Sequence, residues 1–321
     1  MIDNDNSRQS TNVATSNFVQ HGIKPSKVYL PHDKRFMDGE LLGFFAVHFA
    51  HIPIVEWQAR FAQGLITTES GEMLTADMPY PAGQTLLYYR HVANEPVIPF
   101  EPTILHIDNE LLVVDKPHFL PVIPTGQWVS QTLLAKLRIH PRLRQLTQLD
   151  VDDISPIHRL DKDTAGVMLL SLNRNTRAHY QRLFEQKQVQ KTYEAIAPTR
   201  TDLSYPYQVA SRLVRGEQFF LTQTVDGAPN SLTTIELIGT LPEYEHQFSR
   251  YRLTPLTGKK HQLRVHMASL GMPLMNDSFY PVVQPQGAMD FTKPLKLLAK
   301  SITFIDPLTN ETRQFVSQLG L

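Results

Sequence analysis

The chain has 321 residues, 41% of them hydrophobic, with 31 Lys plus Arg against 31 Asp plus Glu. That is enough apolar content for one large core, or for one medium and one small core, and the balanced charge excludes a global basic field of the kind that announces a polyanionic partner. Cys is absent, which excludes disulfides, a Cys nucleophile and thiolate metal sites, and the polar N-terminus lacks an apolar signal core, so a cytoplasmic location is expected.

Residues 1–22 are dominated by Asn, Ser, Thr, Gln and Asp and are expected to form a disordered tail. A small domain is expected over 23–93. Its compact part starts at Met37, with two short helices broken at Pro53 and then a hairpin with turns at Ser70-Gly71 and Ala82-Gly83. NEPVIPFEP, residues 94–102, reads as an extended linker because three prolines hold it out of a helix. A larger domain is expected over 103–321. There, residues 103–126 give two or three short strands, 131–144 a basic helix with Leu133, Leu134 and Leu137 inward, and 166–172 a buried strand. A helix follows over 176–187 with Ala178, Leu183 and Phe184 inward, then a strand over 189–197 and a helix beginning near His261. This mixed order predicts an α+β fold, a central mixed and largely antiparallel sheet flanked by helices.

Charge is unevenly spread over the larger domain. Residues 136–191 hold eleven Lys or Arg against six Asp or Glu, and residues 250–266 hold five against none. A run of cations without acids repels itself unless an anion approaches, so phosphates are expected at Arg138, Arg142 and Lys259. The densest chemistry is HRLDKDTAG, residues 158–166, directly before an apolar run. Its Asp161-Lys162-Asp163 is not an aspartyl-phosphate motif, since Ile157-His158-Arg159 replace the preceding apolar strand and Ala165 stands where Thr is needed. A calcium loop from Asp150 fails because its sixth position is Ser155, and the five-residue spacing of His261 and His266 does not fit a helical zinc pair. No metal is expected.

HRLDKDTAG resembles the H-R-L-D-x-D-T-[SA]-G signature of the RluA-type RNA pseudouridine synthases. KTYEA (191–195) resembles their K-x-Y-x-A strand, and GKKHQLRVH (258–266) their G-[RK]-x-H-Q-[IL]-R-x-H turn and helix. LLVVDKPHFLPVIP (111–124) and PLMNDSFY (273–280) are similar to the opening and closing motifs of the family. The resemblance implies isomerisation of uridine to pseudouridine in ribosomal or transfer RNA, with no cofactor or metal. It implies Asp161 as the nucleophile, Arg264 as the partner that orients it in a bidentate pair, and Tyr193 as an active-site ring. Arg159 would enter the space left by the flipped nucleotide, Leu263 would cover the base, and Lys259, His261 and Gln262 would bind substrate. His158 is expected to be structural. The chemistry is consistent without the family: breaking the N1–C1′ bond and rejoining the base through C5 needs a carboxylate at C1′ and a pocket that holds free uracil.

Three departures from the pattern, Ala165, Lys259 and Asn276, remove no catalytic group, and Asn tolerates the left-handed backbone for which Gly is usual. The small domain resembles the RNA-binding module of these synthases but lacks its basic helix face, with Glu56, Trp57 and Gln58 in its place. A monomer is expected. An inactive RNA-binding module of the same fold, or an aspartyl-phosphate hydrolase, would be the alternatives.

Overall fold

The structure, a computed structural model, describes residues 22–90, 95–146, 149–285, 287 and 289–321; the expected tail, Gly22 apart, lies outside them. Two compact units are present. The first runs to residue 96 and also takes in 124–131 and 135–144; the second comprises 97–123, 132–134 and 145–321.

In the first unit, β1 (Ser26–Tyr29), β2 (Ile66–Thr68) and β3 (Thr85–Tyr88) form an antiparallel sheet in the order β1-β3-β2. Helices α1 (Leu41–His48) and α2 (Ile54–Ala62) are separated at Pro53, the N-cap of α2. Trp57 lies in the core with its ring 4.6 Å from that of Phe45, among Leu41, Phe44 and Phe61. Burial of Trp57 explains why a basic residue is absent from its position. The hairpin of the sequence reading is the β2–β3 pair; β1 precedes the point at which that reading began the compact part.

The expected linker and the segment after it behave differently from the sequence reading. The Glu95 carboxylate accepts the backbone N–H groups of Val129 and Gln131 on one oxygen and that of Ser130 on the other, at 2.6 to 2.9 Å. Arg138 Nη1 donates to the Gly22 carbonyl at 3.1 Å. These bonds draw 124–131 and 135–144 into the first unit, so 103–321 is not one uninterrupted domain. The basic helix is two helices, α3 (Leu133–Ile139) and α4 (Pro141–Arg144), because Pro141 offers no N–H to continue the first. Arg138 is buried, which corrects its expected place at a phosphate.

The second unit is built on an eleven-stranded sheet. Its strands are β4 (Thr103–Ile107), β5 (Leu111–Lys116), β6 (Ser155–Pro156), β7 (Ala165–Ser171), β8 (Gln190–Pro198), β9 (Tyr207–Arg215), β10 (Thr222–Val225), β11 (Ser231–Thr240), β12 (Phe248–Pro255), β13 (Leu297–Ile305) and β14 (Thr312–Val316). The main path runs β10-β9-β11-β12-β8-β13-β7-β5-β4, with β14 on β13 and β6 on β7. Every pairing is antiparallel except β13 with β7, so the fold is α+β as expected. Strands β5 and β7 are buried along their whole length, and their segments 111–114 and 167–170 read as continuous apolar runs for that reason; each buried Val or Leu contributes roughly 1.5–3 kcal/mol. The β7–β13 pairing requires Gly166: at φ +115° its missing Cβ would lie 2.2 Å from the Ala299 carbonyl oxygen.

Helix α5 (Arg177–Glu185) buries Tyr180 and Leu183. Ala178, expected inward, is exposed and Phe184 is half-buried, because Tyr180 fills the core and its hydroxyl reaches Asp306. Helix α6 (Gln262–Ser269) is buried from Gln262 to Met267. His266 fixes it to the sheet through Ser211, Ser231 and Thr233 at 2.9 to 3.0 Å.

Candidate active site

The loop between β6 and β7 carries His158 to Thr164, and the chain before it supplies its supports. Lys116, at the end of β5, is fully buried, and its ammonium donates to the carbonyls of Pro117, Leu120 and Lys162 at 2.9 to 3.0 Å. Burial pushes this ammonium down to about 7 against the pull of Asp163 and Asp161. His118 Nδ1 lies 2.7 Å from the Asp163 carbonyl. His158 accepts the Leu169 N–H at Nε2, 3.0 Å away, and stacks on Phe184 with centroids 4.7 Å apart. Burial pushes its imidazole down to about 4, so the ring is neutral and one nitrogen is committed to the backbone. This matches the structural part expected of His158.

The loop opens into a cavity of about 490 Å³. Asp161, Tyr193, Arg264, Arg159, Leu263 and Lys259 all line it, so residues from three separate motifs meet in one hollow. Asp161 has Arg159 Nη2 3.9 Å from one oxygen and His261 Nε2 3.9 Å from the other. The Arg159 side chain is 65% exposed. The Tyr193 hydroxyl is raised above its ordinary range, first by burial and then by the negative charge of Asp161, so the phenol keeps its proton at neutral pH.

Two expected partnerships differ. Arg264 does not pair with Asp161. Its Nε and Nη2 donate to the two oxygens of Asp277 at 2.8 and 2.5 Å, with both side chains 1% exposed. Asp277 Oδ1 also accepts the N–H groups of Phe279 and Tyr280. A buried guanidinium needs a carboxylate at bidentate distance, and Asp277 supplies it. Gln262, expected to bind substrate, has no amide group to spare: Nε2 donates to Leu232 O and Thr233 Oγ1, while Oε1 accepts from Thr257 Oγ1 and Lys259 N. It closes the 257–259 turn and thereby places Lys259 at the rim, where that residue is exposed.

The family profile for RNA pseudouridylate synthase matches residues 110–269. An RNA pseudouridine synthase from Synechocystis is 30% identical over 242 residues, 75% of this chain and 79% of that one. The dual-specificity RNA pseudouridine synthase RluA of Haemophilus influenzae is 30% identical over 225 residues, 68% of this chain and 94% of its own. The chain belongs to the RluA-type RNA pseudouridine synthases. Human RNA pseudouridylate synthase domain containing 4 shares the fold, with TM-score 0.51 and 25% identity over 68% of this chain and 88% of its own. As a pseudouridine synthase the chain is an isomerase acting on uridine in RNA. The matched stretch ends before Asp277 and Tyr280. Both stand in PLMNDSFY, as Lys116 and His118 stand in LLVVDKPHFLPVIP. The motifs were visible, but the partners were not, because those bonds join residues far apart in sequence. In the same closing motif, Asn276 adopts φ +64°, the left-handed backbone anticipated for it.

Proposed function

We propose that this synthase isomerises a uridine in structured ribosomal or transfer RNA, with Asp161 as the nucleophile. The convergence of Asp161, Tyr193 and Arg264 on one cavity supports the reading. So do relatives whose names specify a dual-specificity RNA enzyme and, in Haemophilus ducreyi, a tRNA pseudouridine synthase. The target base is extruded from its stack at a cost of a few kcal/mol, with exposed Arg159 entering the space it leaves. An Asp161 oxygen bonds to C1′ as the bond from C1′ to N1 breaks and the uracil leaves with the electron pair. The uracil turns between Tyr193 and Leu263, C5 bonds to C1′ as the Asp161 oxygen departs, N1 takes up a proton, and the proton on C5 is lost to solvent.

That last step is the assay. Asp161→Asn, nearly isosteric but neutral, is expected to release no tritium above background from RNA labelled at uridine C5, with its melting temperature and RNA affinity close to wild type. Clear turnover by the purified variant would remove Asp161 from the reaction.

A further inference from the structure

We propose that His261 is a positioning residue for the Asp161 carboxylate, presenting a neutral Nε2–H whose place on the ring is set by Tyr280. The inference rests on the reading of Asp161 as nucleophile.

His261 is the N-cap of α6, held at φ +54°, and its Nδ1 lies 2.8 Å from the Tyr280 hydroxyl. That hydroxyl also accepts the Thr222 backbone N–H at 2.9 Å. A phenol has one proton to give. Its oxygen already accepts the Thr222 N–H and also meets the Thr222 hydroxyl, which acts there as a second donor, so the phenol's own proton is directed to Nδ1. The imidazole proton then belongs on Nε2, the nitrogen facing Asp161 Oδ2 at 3.9 Å. The ring does not gain a second proton near neutrality: burial, Arg264 and Lys260 push it down to about 3. Asp161 therefore faces a neutral donor on the His261 side, about one ångström beyond hydrogen-bond length.

The chemical consequence concerns the attacking atom. A cation bonded to a carboxylate fixes its direction but withdraws its negative charge; a neutral N–H fixes direction at less cost in nucleophilicity. Arg264 is not that cation, since its ion pair is with Asp277 and it makes none with Asp161. The segment Asp277–Tyr280 thus holds both groups, Arg264 through its carboxylate and His261 through its phenol.

The test is tritium release from ribosomal and transfer RNA, purified from cells lacking this protein and labelled at uridine C5, under excess enzyme. Rate is followed against enzyme concentration to separate the plateau from the half-saturation point. Asn at 261 suits the left-handed backbone and can accept from Tyr280, but its amide stops short of Asp161; the Gln amide reaches about as far as Nε2. His261→Asn is expected to lose at least about tenfold in plateau rate with half-saturation unchanged within twofold, and His261→Gln to recover most of the loss. Tyr280→Phe, which frees Nδ1 to take the ring proton, is expected to fall in plateau rate as well. Wild-type plateau in His261→Asn, equal loss in Asn and Gln, loss confined to half-saturation, or an unimpaired Tyr280→Phe would each overturn the proposal. Wild type and Asp161→Asn run alongside: a silent wild type, or an active Asp161→Asn, defeats the functional reading instead.

Discussion

Tyr193 shows how a residue's surroundings restrict what it can do. Its ring lines the cavity and its phenol is pushed upward by burial and by Asp161, so a phenolate acting as base is disfavoured at neutral pH. The ring alone suffices for stacking, worth roughly 1–3 kcal/mol on a base. Tyr193→Phe is therefore expected to hold RNA as tightly as wild type, and Tyr193→Leu to bind more weakly by about that amount in a titration. The ratio of wild-type to Phe-variant single-turnover rate should stay constant from about pH 7 to 9, because the hydroxyl does not ionise there; a ratio climbing with pH would show a phenolate at work. At this scale the sequence was informative about which residues gather and poor about which ones bond. Asp161, Tyr193 and Arg264 were found from local motifs, each within a few residues of its signature. The Arg264–Asp277 pair and the saturated amide of Gln262 needed three-dimensional distances.

Among elements, the 158–164 loop is shaped less by its own residues than by the end of β5. Three carbonyls converge on the Lys116 ammonium, one of them Lys162 O inside the loop, and a buried carbonyl left without a donor costs about 1–3 kcal/mol. Lys116→Met keeps the apolar stem and removes all three donors. The expected outcome is a plateau rate lowered by at least about tenfold, a lower melting temperature, and faster amide exchange confined to residues 158–164. Unchanged exchange in that loop would mean that it holds its shape without Lys116. Elements were legible where burial imposes a pattern. Leu111–Val114 in β5 and Val167–Leu170 in β7 are unbroken apolar runs and mark strands, whereas β9, half-buried and exposed by turns up to the buried Leu213, carries no such run. Helix α6 shows another limit: buried around nearly its whole first two turns, it has no amphipathic period, and only the motif marked where it begins. Ala178 has the small size and spacing of a core residue, but the larger Tyr180, two residues on and so on the opposite face of the helix, fills the core in its place.

For the whole molecule, zero net charge conceals an uneven set of buried ionisable groups. Three histidines of the second unit are held neutral by burial: His158 and His266 are pushed down to about 4, and His261 to about 3, from an ordinary value near 6.5. His118 is lowered for the same reason. Each takes up a proton more readily unfolded than folded, so its contribution is fully present above about pH 6.5 and is lost as pH falls toward the folded value. Within that window each group adds a slope of about 1.4 kcal/mol per pH unit. Other groups act elsewhere on the scale. Lys116, lowered to about 7, is protonated in both states below that pH, and Asp108, lowered to about 2 by its hydrogen bonds to His106, Leu111, Glu110 and Arg313 despite burial, matters only below the ordinary carboxylate range. The interval from pH 6.5 to 4.5 therefore belongs to the histidines. The melting temperature of the second unit should fall steeply across it and, from pH 7 to 8, still rise with pH by up to one group's share, because Lys116 then loses its proton in the folded protein only. His266→Asn, already less stable at pH 7.5 for want of its three hydroxyl partners, should show a shallower fall by about one group's share. A melting temperature that holds steady from pH 7 to 5 would mean that these rings do not stay neutral in the folded protein.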